Sequence, residues 1–588
     1  MSDISWFMED TSIISQAGIM ITIFLIAIPV VIATIIAVMR GRGALRDYAQ
    51  EKEFRKFREK LDEMSPEEIE QLEQRKRELE YQLENNELSG IEKPKDSRGL
   101  IDNIATAEEL RFIELKKKSQ PRPYIEPKLT QLILWYLASA TFWLVLGTTI
   151  GEYLGIKFVA PDVDHISWLS FGRLRPVHTN MVFWGWASLG MMGLAYYVIQ
   201  RVSNVPIHSL KTGFYSLILI NAAVVIGTIC LMAGINNGGG EYREYIWPVM
   251  ALFGIGIFIS LMNFWKTIAA RKNKEIYVSN WYIIAAMMYV LVIAFVAYWP
   301  TWQSGLGETI VQGYYMHQGV GMWFMLFSLG LMYYFLPQQL NKPIYSYSLG
   351  ILAFWTQILF YTVIGTHHFI FSAIPWWLQT VAIVGSMGMV IPVIAGTTNF
   401  LMTFKGSWHK LSSSYTLPFY LIGIIFYFTG SLQGTAEAFR FTNLVWHFTD
   451  FTVAHSHLTM YGIITFMLWG FIYTLVPRLT GKEPPQITVG AHFWLALIGL
   501  MFYSVPLMYG ATLRGLMWMD LQPFMDSVEM MAPYWLWRAI GGSLMWLSHL
   551  LFAYNFYVMV KKKNRAKVPT SPIEILKAKE ELSKNINN

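Results

Sequence analysis

Apolar runs of about 20 residues recur along the chain, and this repetition limits the possible folds more than any other feature. A helix of that length crosses the hydrocarbon core of a bilayer, where the backbone must satisfy its own hydrogen bonds. We therefore predict an all-α polytopic membrane protein. Its thirteen predicted spans are one helix at 18–39 and a bundle of twelve helices at 129–152, 177–199, 213–235, 247–266, 278–300, 316–337, 348–371, 377–403, 415–436, 453–477, 490–510 and 534–560.

The composition agrees with a membrane protein. Only 15% of the 588 residues are charged and 54% are apolar, whereas soluble domains carry about 25% charged residues. The net charge of +6 is spread over the loops and gives no indication of nucleic-acid binding. Cys230 is the single cysteine, so this chain has no internal disulfide, no C-x-x-C-H haem attachment and no thiolate cluster.

The charged segments predict the domain organisation and the topology. Residues 1–17 hold no Lys or Arg, whereas basic residues follow the first and the last spans. The positive-inside rule then places the N-terminus outside and the C-terminus in the cytoplasm, and the first span lacks the features of a cleavable signal peptide. Ser65 is a predicted N-cap with Pro66 as the first helical residue. The predicted domains are an N-terminal transmembrane helix (1–40), a cytoplasmic helical hairpin and linker (41–128), the twelve-helix bundle (129–562) and a basic tail (563–588).

Six of the twelve histidines fall at one predicted depth, near the outer ends of four bundle helices. Ionisable residues inside a membrane usually mark function, and neutral imidazole is a common metal ligand. Two others, His492 and His549, are interpreted as core residues with satisfied hydrogen bonds. The six that we interpret as ligands are His178, His317, His367, His368, His455 and His457.

The spacing of these histidines suggests two kinds of site. His367 and His368 end one predicted helix and, with His317, could supply three nitrogens to one ion. His455 and His457 are two residues apart and point to nearly opposite helix faces, which suits a helix lying between two cofactors. Haem takes axial histidine, and His178 could pair with either of these two residues.

Several longer motifs surround these histidines. They read "FGRLRPVHTN" (171–180), "EYREYIWPV" (241–249), "IVQGYYMHQGVG" (310–321), "YTVIGTHHFIFSAIPWWLQT" (361–380) and "HFTDFTVAHSH" (447–457). With them, residues 129–560 resemble subunit I, the catalytic subunit, of the haem–copper oxidase superfamily. The resemblance is strongest to its C-family, the cbb3-type cytochrome c oxidases. Some stretches also resemble nitric oxide reductases of the same superfamily.

The resemblance implies a role for each histidine. His178 and His457 would be the axial ligands of a low-spin haem b, and His455 the axial ligand of a high-spin haem b. Copper would be held by His317, His367 and His368.

The resemblance also implies roles for other residues. Tyr361, expected on the same helix as His367, would be linked covalently to His317 and would supply an electron and a proton. Arg173 and Arg175 would pair with haem propionates, and Glu241 and Glu244 would lie beside a calcium ion.

The function that the resemblance implies is reduction of O2 to water in the bacterial inner membrane. A membrane-bound c-type cytochrome subunit, supplied by soluble cytochrome c, would deliver the electrons. Two alternatives remain open: reduction of NO to N2O with non-haem iron in place of copper, and a haem-binding membrane protein without turnover.

The chain departs from the family at several positions. Gly350, Ala353 and Gln433 replace polar residues of the family's proton path, which favours a reductase. Tyr361 is present and Gly321 stands where a reductase has its glutamate ligand, which favours an oxidase.

Overall fold

The computed structural model describes residues 28, 31, 32, 34, 35, 38, 39, 63–71, 73, 74, 124–302 and 304–561. The chain divides into two units, one formed by residues 1–40 with 123–561 and the other by residues 41–122 with 562–588. Nearly all of the described residues belong to the first unit.

Twelve long helices form the bundle in this part of the chain, and no strand occurs among the described residues. Eleven are long and apolar enough to cross a membrane, and α7 is shorter. This confirms the prediction of an all-helical multi-pass bundle. The helices are α1 (Pro127–Val159), α2 (Phe171–Ser203), α3 (Leu210–Ala233), α4 (Trp247–Ala269), α5 (Val278–Tyr298), α6 (Gly305–Leu340), α7 (Tyr347–Tyr361), α8 (Trp376–Thr403), α9 (Leu417–Glu437), α10 (Asp450–Thr480), α11 (Gln486–Met519) and α12 (Phe524–Val560).

Short elements join these helices. They are the 3₁₀ turns Ser167–Leu169, Pro300–Trp302 and Gly365–Phe369 and the helices Lys410–Ser413 and Arg440–Trp446. Ser209 and Ser346 accept backbone N–H hydrogen bonds at the starts of α3 and α7, as N-cap residues do. Gly234 ends α3 in the left-handed conformation at φ 84°, which glycine adopts without steric cost.

The helices α2, α6 and α10 form the centre of the bundle. In each of them, 94% of the most apolar window is buried, against 39–78% in the other spans. A helix that is apolar on every side is stable when other helices surround it. The three central helices carry His178, His317, His455 and His457.

Each central helix also changes its hydrogen-bonding pattern just beyond its histidines. The segments Met181–Ala187, Gly319–Met325 and Leu458–Thr465 are π-helical. Such segments are rare and are often found at functional sites. The extra residue in each π turn rotates the side chains that follow relative to those that precede.

The predicted end of the seventh bundle helix is wrong. The helix α7 ends at Tyr361, and His367 and His368 lie on the separate 3₁₀ turn Gly365–Phe369. Tyr361 and His367 are therefore not on one helix. The chain bends there because Gly365 packs against the α6 backbone: a Cβ atom at Gly365 would lie 2.6 Å from the Cα atom of Tyr314.

Most of the predicted N-terminal span (18–39), hairpin (41–128) and tail (563–588) lies outside the described residues. One detail of the hairpin is confirmed. The Ser65 hydroxyl accepts the Glu68 N–H at 3.4 Å, and the Glu68 carboxylate accepts the Ser65 N–H at 2.9 Å. This reciprocal pair is a capping box in front of Pro66.

Candidate metal centre

A cavity of about 780 Å³ lies within the bundle, and its lining includes all six of the predicted ligand histidines. The three central helices, α9 and the Gly365–Phe369 turn all contribute to it. His178 and His457, which are 279 positions apart in the sequence, thus meet at one site.

His317, His367 and His368 form a compact trio. One ring nitrogen from each lies within 4.8 Å of the others, and no other group of three metal-ligating side chains is this close among the residues described. His367 Nδ1 is 2.7 Å from the hydroxyl of Ser386, which fixes the ring and leaves its other nitrogen available. His317 Nδ1 is buried without a hydrogen-bond partner. A nitrogen-ligated ion fits this trio, because an unpaired buried imidazole nitrogen is costly unless something binds it.

The irregular turn places two of these ligands. Gly365 brings the turn against α6 at Tyr314, one helical turn before His317. The 3₁₀ geometry then directs both neighbouring rings toward His317, with ring centroids 4.3 Å away for His367 and 5.0 Å for His368.

His178 and His457 form a facing pair. Their rings are 13° from parallel, with centroids 6.5 Å apart. An ion bound by two imidazole nitrogens at about 2 Å each needs a separation of about this size. Each Nδ1 atom is held by a backbone carbonyl, at 2.7 Å from Gly147 O and 2.8 Å from Val453 O. Both Nε2 atoms are therefore free for an axial bond, and a haem fits the pair.

The approach of α1 to His178 depends on Gly151. A Cβ atom there would lie 2.5 Å from the ring atom Cε1 of His178. Any larger residue would displace the ring from its position opposite His457.

His455 is held by a different helix. Its Nδ1 atom is 3.0 Å from Oε1 of Gln433 and 3.4 Å from Oε1 of Glu437, both on α9. Gln433 accepts the ring N–H, whereas Oε1 of Glu437 is buried without a hydrogen-bond partner, and the other ring nitrogen is available as a ligand.

Tyr361 packs beside the trio. Its ring centroid is 5.1 Å from that of His317, in an edge-to-face arrangement. Its ring also fills the space over Gly321, where a Cβ atom would lie only 1.7 Å from Tyr361 Cε1. A glutamate at position 321 is thus incompatible with Tyr361 in this position.

The two predicted propionate partners lie in different places. Arg175 lines the cavity and pairs with Glu241 at 2.7 Å. Arg173 points toward the end of α3 and donates to Met232 O at 3.0 Å. Only Arg175 is brought to the site.

The two predicted calcium ligands also differ. Glu241 is occupied by its ion pair with Arg175. Glu244 is buried and accepts a hydrogen bond from Asn180 at 3.0 Å. Burial raises the pKa of Glu244 to about 7.

Four charged residues at this cavity were not predicted from the sequence, namely Glu152, Glu437, Asp450 and Arg538. Arg538 is buried and lies 3.7 Å from Asp450, which also accepts hydrogen bonds from Arg514 and Trp535 at 3.3 Å each. An arginine within the apolar run "YWLWRAIGG" is a signal that could have identified Arg538, because charges inside a membrane are rare and usually functional.

Known proteins are similar to this chain in sequence and in fold. Residues 131–544 match the family described as cytochrome c and quinol oxidase polypeptide I. The cbb3-type cytochrome c oxidase subunit CcoN1 of Stutzerimonas stutzeri is 31% identical over 440 residues, which cover 71% of this chain and 92% of that protein. A nitric oxide reductase polypeptide of the same organism is 22% identical over 481 residues, covering 77% of this chain and 96% of that protein.

The fold has a counterpart among solved structures. A haem–copper terminal oxidase dimer matches with a TM-score of 0.65 at 14% identity, over 76% of this chain and 87% of that one. The family match spans well over half of the chain, and the oxidase relative is covered almost completely. This chain therefore belongs to the cytochrome c and quinol oxidase polypeptide I family, as the catalytic subunit of a haem–copper oxidase.

Proposed function

We propose that this subunit reduces O2 to water, O2 + 4 e⁻ + 4 H⁺ → 2 H2O, with electrons from a c-type cytochrome. One observation carries the proposal. The histidine trio, Tyr361 and His455 line the same cavity, and Tyr361 lies against the trio member His317.

The facing pair would receive the electrons. His178 and His457 would hold the low-spin haem b, with both rings oriented by backbone carbonyls. Arg175 lines the same cavity and would pair with a haem propionate. Arg538 also lines this cavity, and it would take the place of Arg173 as the second residue that pairs with a haem propionate.

The second group of residues would act on O2. His455 would be the axial ligand of the high-spin haem b, and His317, His367 and His368 would hold copper. Together these groups would bind O2 and deliver electrons to it. The hydroxyl of Tyr361 would supply one proton and one electron, and the contact with His317 is suited to a covalent link between the two rings.

The electron donor is a separate protein in this proposal. The chain has one cysteine and so no C-x-x-C-H site for a covalent haem. A membrane-bound c-type cytochrome subunit, supplied by soluble cytochrome c, would deliver electrons to the outer ends of the helices. The complex would lie in the bacterial inner membrane, with the N-terminus outside and the C-terminus in the cytoplasm.

Nitric oxide reduction is the second candidate because Gly350 and Ala353 remove polar groups from the family's proton path and Gln433 replaces an ionisable glutamate of that path. The packing of Tyr361 on Gly321 opposes it, since no glutamate ligand is possible there. The oxidase reaction is the better supported of the two.

Metal analysis of the purified complex, normalised to haem, tests the proposal. We expect one copper for every two b haems, and an optical spectrum in which carbon monoxide binds one of the haems. Non-haem iron in place of copper would favour NO reduction, and two haems that do not bind carbon monoxide would favour a protein without turnover.

A variant tests the role of Tyr361. Tyr361→Phe removes the hydroxyl and keeps the ring over Gly321, so we expect O2 reduction to be abolished while both haem spectra persist. Tyr420→Phe is the matched control, because its buried hydroxyl contacts Thr474 outside the cavity. Full turnover in Tyr361→Phe would remove the redox role.

A further inference from the structure

A column of buried polar side chains begins at the cavity, near His178, and extends into the bundle away from the ligand histidines. It involves α10, α11 and α12, and its members are Trp469, Tyr473, His492, His549 and Asn555. All are at most 1% exposed. Burying five polar side chains together is costly unless their hydrogen bonds are satisfied, and the roles proposed above use none of them.

The direction of the hydrogen bonds is fixed at the lower end of the column. Asn555 Nδ2 donates to the Tyr473 oxygen at 2.9 Å. Nδ1 of His492, at 2.9 Å, is the acceptor next to the Tyr473 hydroxyl, and we assign this hydrogen bond with Tyr473 as the donor so that its buried O–H has a partner. His492 must then carry its hydrogen on Nε2.

The direction of the hydrogen bonds is also fixed at the other end of the column, where His549 and Thr148 line the cavity. The Thr148 hydroxyl donates to Leu144 O at 2.7 Å. Its oxygen can therefore accept the Nδ1 hydrogen of His549, at 2.9 Å. This leaves Nε2 of His549 as a bare acceptor.

Between the two ends, three polar atoms have no partner. They are His492 Nε2, His549 Nε2 and Trp469 Nε1, all buried. Both imidazoles lie against the Trp469 ring, with centroids 4.4 Å and 5.6 Å from it. Two of the unpaired atoms are donors and one is an acceptor. One water molecule matches this set, because a buried water makes two to four hydrogen bonds and can both accept and donate.

The column joins two different environments. Tyr473 is 16 residues beyond His457 on α10, about 24 Å along the helix. Its ring centroid lies 6.3 Å from that of Tyr415, a half-buried residue in the loop before α9. At the other end, Thr148 and His549 both line the cavity, and Thr148 follows Gly147, whose carbonyl holds His178.

We propose that one water bound among Trp469, His492 and His549 completes a proton-transfer route from the Tyr415 face of the bundle to the cavity beside His178. This inference rests on the proposed function, in which protons are consumed in the cavity. It gives the chain a route that does not use positions 350, 353 or 433.

The transfer balances at every group. Tyr473 passes its hydroxyl proton to Nδ1 of His492 while the Nε2 proton of His492 passes to the water. The water passes a proton to Nε2 of His549, whose Nδ1 proton passes to Thr148, and the Thr148 hydroxyl turns from Leu144 O to release its own proton into the cavity. Both imidazoles are then in the opposite tautomer and return to the starting one before the next transfer. Water at the Tyr415 face restores the Tyr473 proton, no electrons move, and Asn555 only orients the Tyr473 hydroxyl.

Proton uptake during a single turnover tests the route. Fully reduced holoenzyme is mixed rapidly with O2 in the presence of a pH-indicator dye. Tyr473→Phe removes the relay hydroxyl and keeps the ring, so we expect at least about 100-fold slower uptake, the lower end of the loss typical when a proton-transfer group is removed. Trp469→Phe removes one hydrogen bond to the water, and we expect a smaller slowing.

The matched control is Tyr196→Phe, which removes another buried hydroxyl, 2.7 Å from Ser260 and outside the cavity. It should take up protons at the wild-type rate. Haem spectra and copper content are measured on every sample, since a merely structural role for Tyr473 would alter them. A map of the holoenzyme that resolves waters should show density within hydrogen-bonding distance of both Nε2 atoms.

Two results would overturn the route while leaving the oxidase intact. One is wild-type proton uptake in Tyr473→Phe. The other is a map in which the two imidazoles have no water between them. A wild-type holoenzyme that consumes no O2 would instead overturn the proposed function, and the map would still decide whether the water is bound.

Discussion

The facing pair His178–His457 and the trio His317–His367–His368 lie in one cavity but are built differently. Regular helix positions the pair, and each ring is fixed by a carbonyl of the backbone, Gly147 O or Val453 O. The trio needs a break in the regular backbone, because two of its members lie on a 3₁₀ turn held against α6 at Gly365. In this chain, the two ligands of the pair lie on regular helix, whereas the trio combines one helical ligand with two on a turn.

The largest effect is expected from a variant that should disable the trio and leave the facing pair intact. His317→Ala removes one ligand of the trio, so we expect loss of the non-haem metal and of O2 reduction. The spectrum of the low-spin haem that we propose at the pair should persist, since both rings of the pair are held by backbone carbonyls and not by His317. Metal analysis and the reduced-minus-oxidised spectrum measure both.

The control for this variant is His409→Ala, which changes an exposed histidine. Unchanged metal content in His317→Ala would contradict the assignment of the trio. Simultaneous loss of both haems would show that the two sites do not form independently.

The second prediction concerns the packing beside the trio. In Gly321→Ala the new methyl group would overlap the Tyr361 ring, since the nearest ring atom is 1.7 Å away. The ring must shift, and displacement of a reacting group by about 1 Å can cost about 100-fold in rate. We expect a loss of at least that size in O2 consumption with both haems retained.

Gly319→Ala is the matched control in the same π segment, because a Cβ atom there meets nothing within 4 Å. Comparable activity in the two alanine variants would contradict the role assigned to the Tyr361–Gly321 contact.

The third prediction concerns the hydrogen bond that holds His455. Gln433→Leu removes the acceptor at 3.0 Å from Nδ1. Loss of a hydrogen bond of about 0.5–1.5 kcal/mol should raise the reduction potential of the haem that we propose at His455 by about 20–60 mV, because a less electron-rich imidazole favours the ferrous state. Gln433→Glu should lower it, and a redox titration of the two haems measures both shifts.

The reduction potential of the haem that we propose at the facing pair is the internal control. A shift of equal size at both haems would mean that Gln433 acts through the general packing and not through His455.

The smallest effect is expected at the loop before α4. The folded pKa of Glu244 is raised to about 7 from 4.5 by burial, so its contribution to stability is fully present below pH 4.5 and is lost as the pH rises through 7. Deprotonation at pH 8 should cost up to about 3 kcal/mol. The unfolding temperature of the wild type in EDTA should therefore fall between pH 5 and pH 8 more than that of Glu244→Gln.

Calcium sharpens this comparison. If Glu241 and Glu244 hold the ion, Ca²⁺ at pH 8 should raise the unfolding temperature of the wild type and leave Glu244→Gln unchanged. If the unfolding temperatures of the two proteins depend equally on pH without Ca²⁺, the raised pKa of Glu244 is contradicted.

Local sequence is enough to specify the individual elements of this protein. Apolar runs predict the helices of the bundle because a backbone in hydrocarbon must bond internally, and the capping box at Ser65 and Glu68 is purely local. The six histidines stand out because a titratable side chain in an apolar run is costly to bury and usually marks function. Local patterns such as these depend on neighbours within a few residues.

Contacts between distant helices determine how those residues meet. The end of α7 at Tyr361, the turn at Gly365 and the fit of Tyr361 over Gly321 depend on contacts with α6 that leave no periodic signal in the sequence. The same is true of Arg538 and Asp450 at the cavity, and of the unpaired nitrogens of His492 and His549, which the sequence alone suggested were satisfied. Packing and polar contacts between residues far apart in the chain set these features, and a single sequence does not state which residues are neighbours.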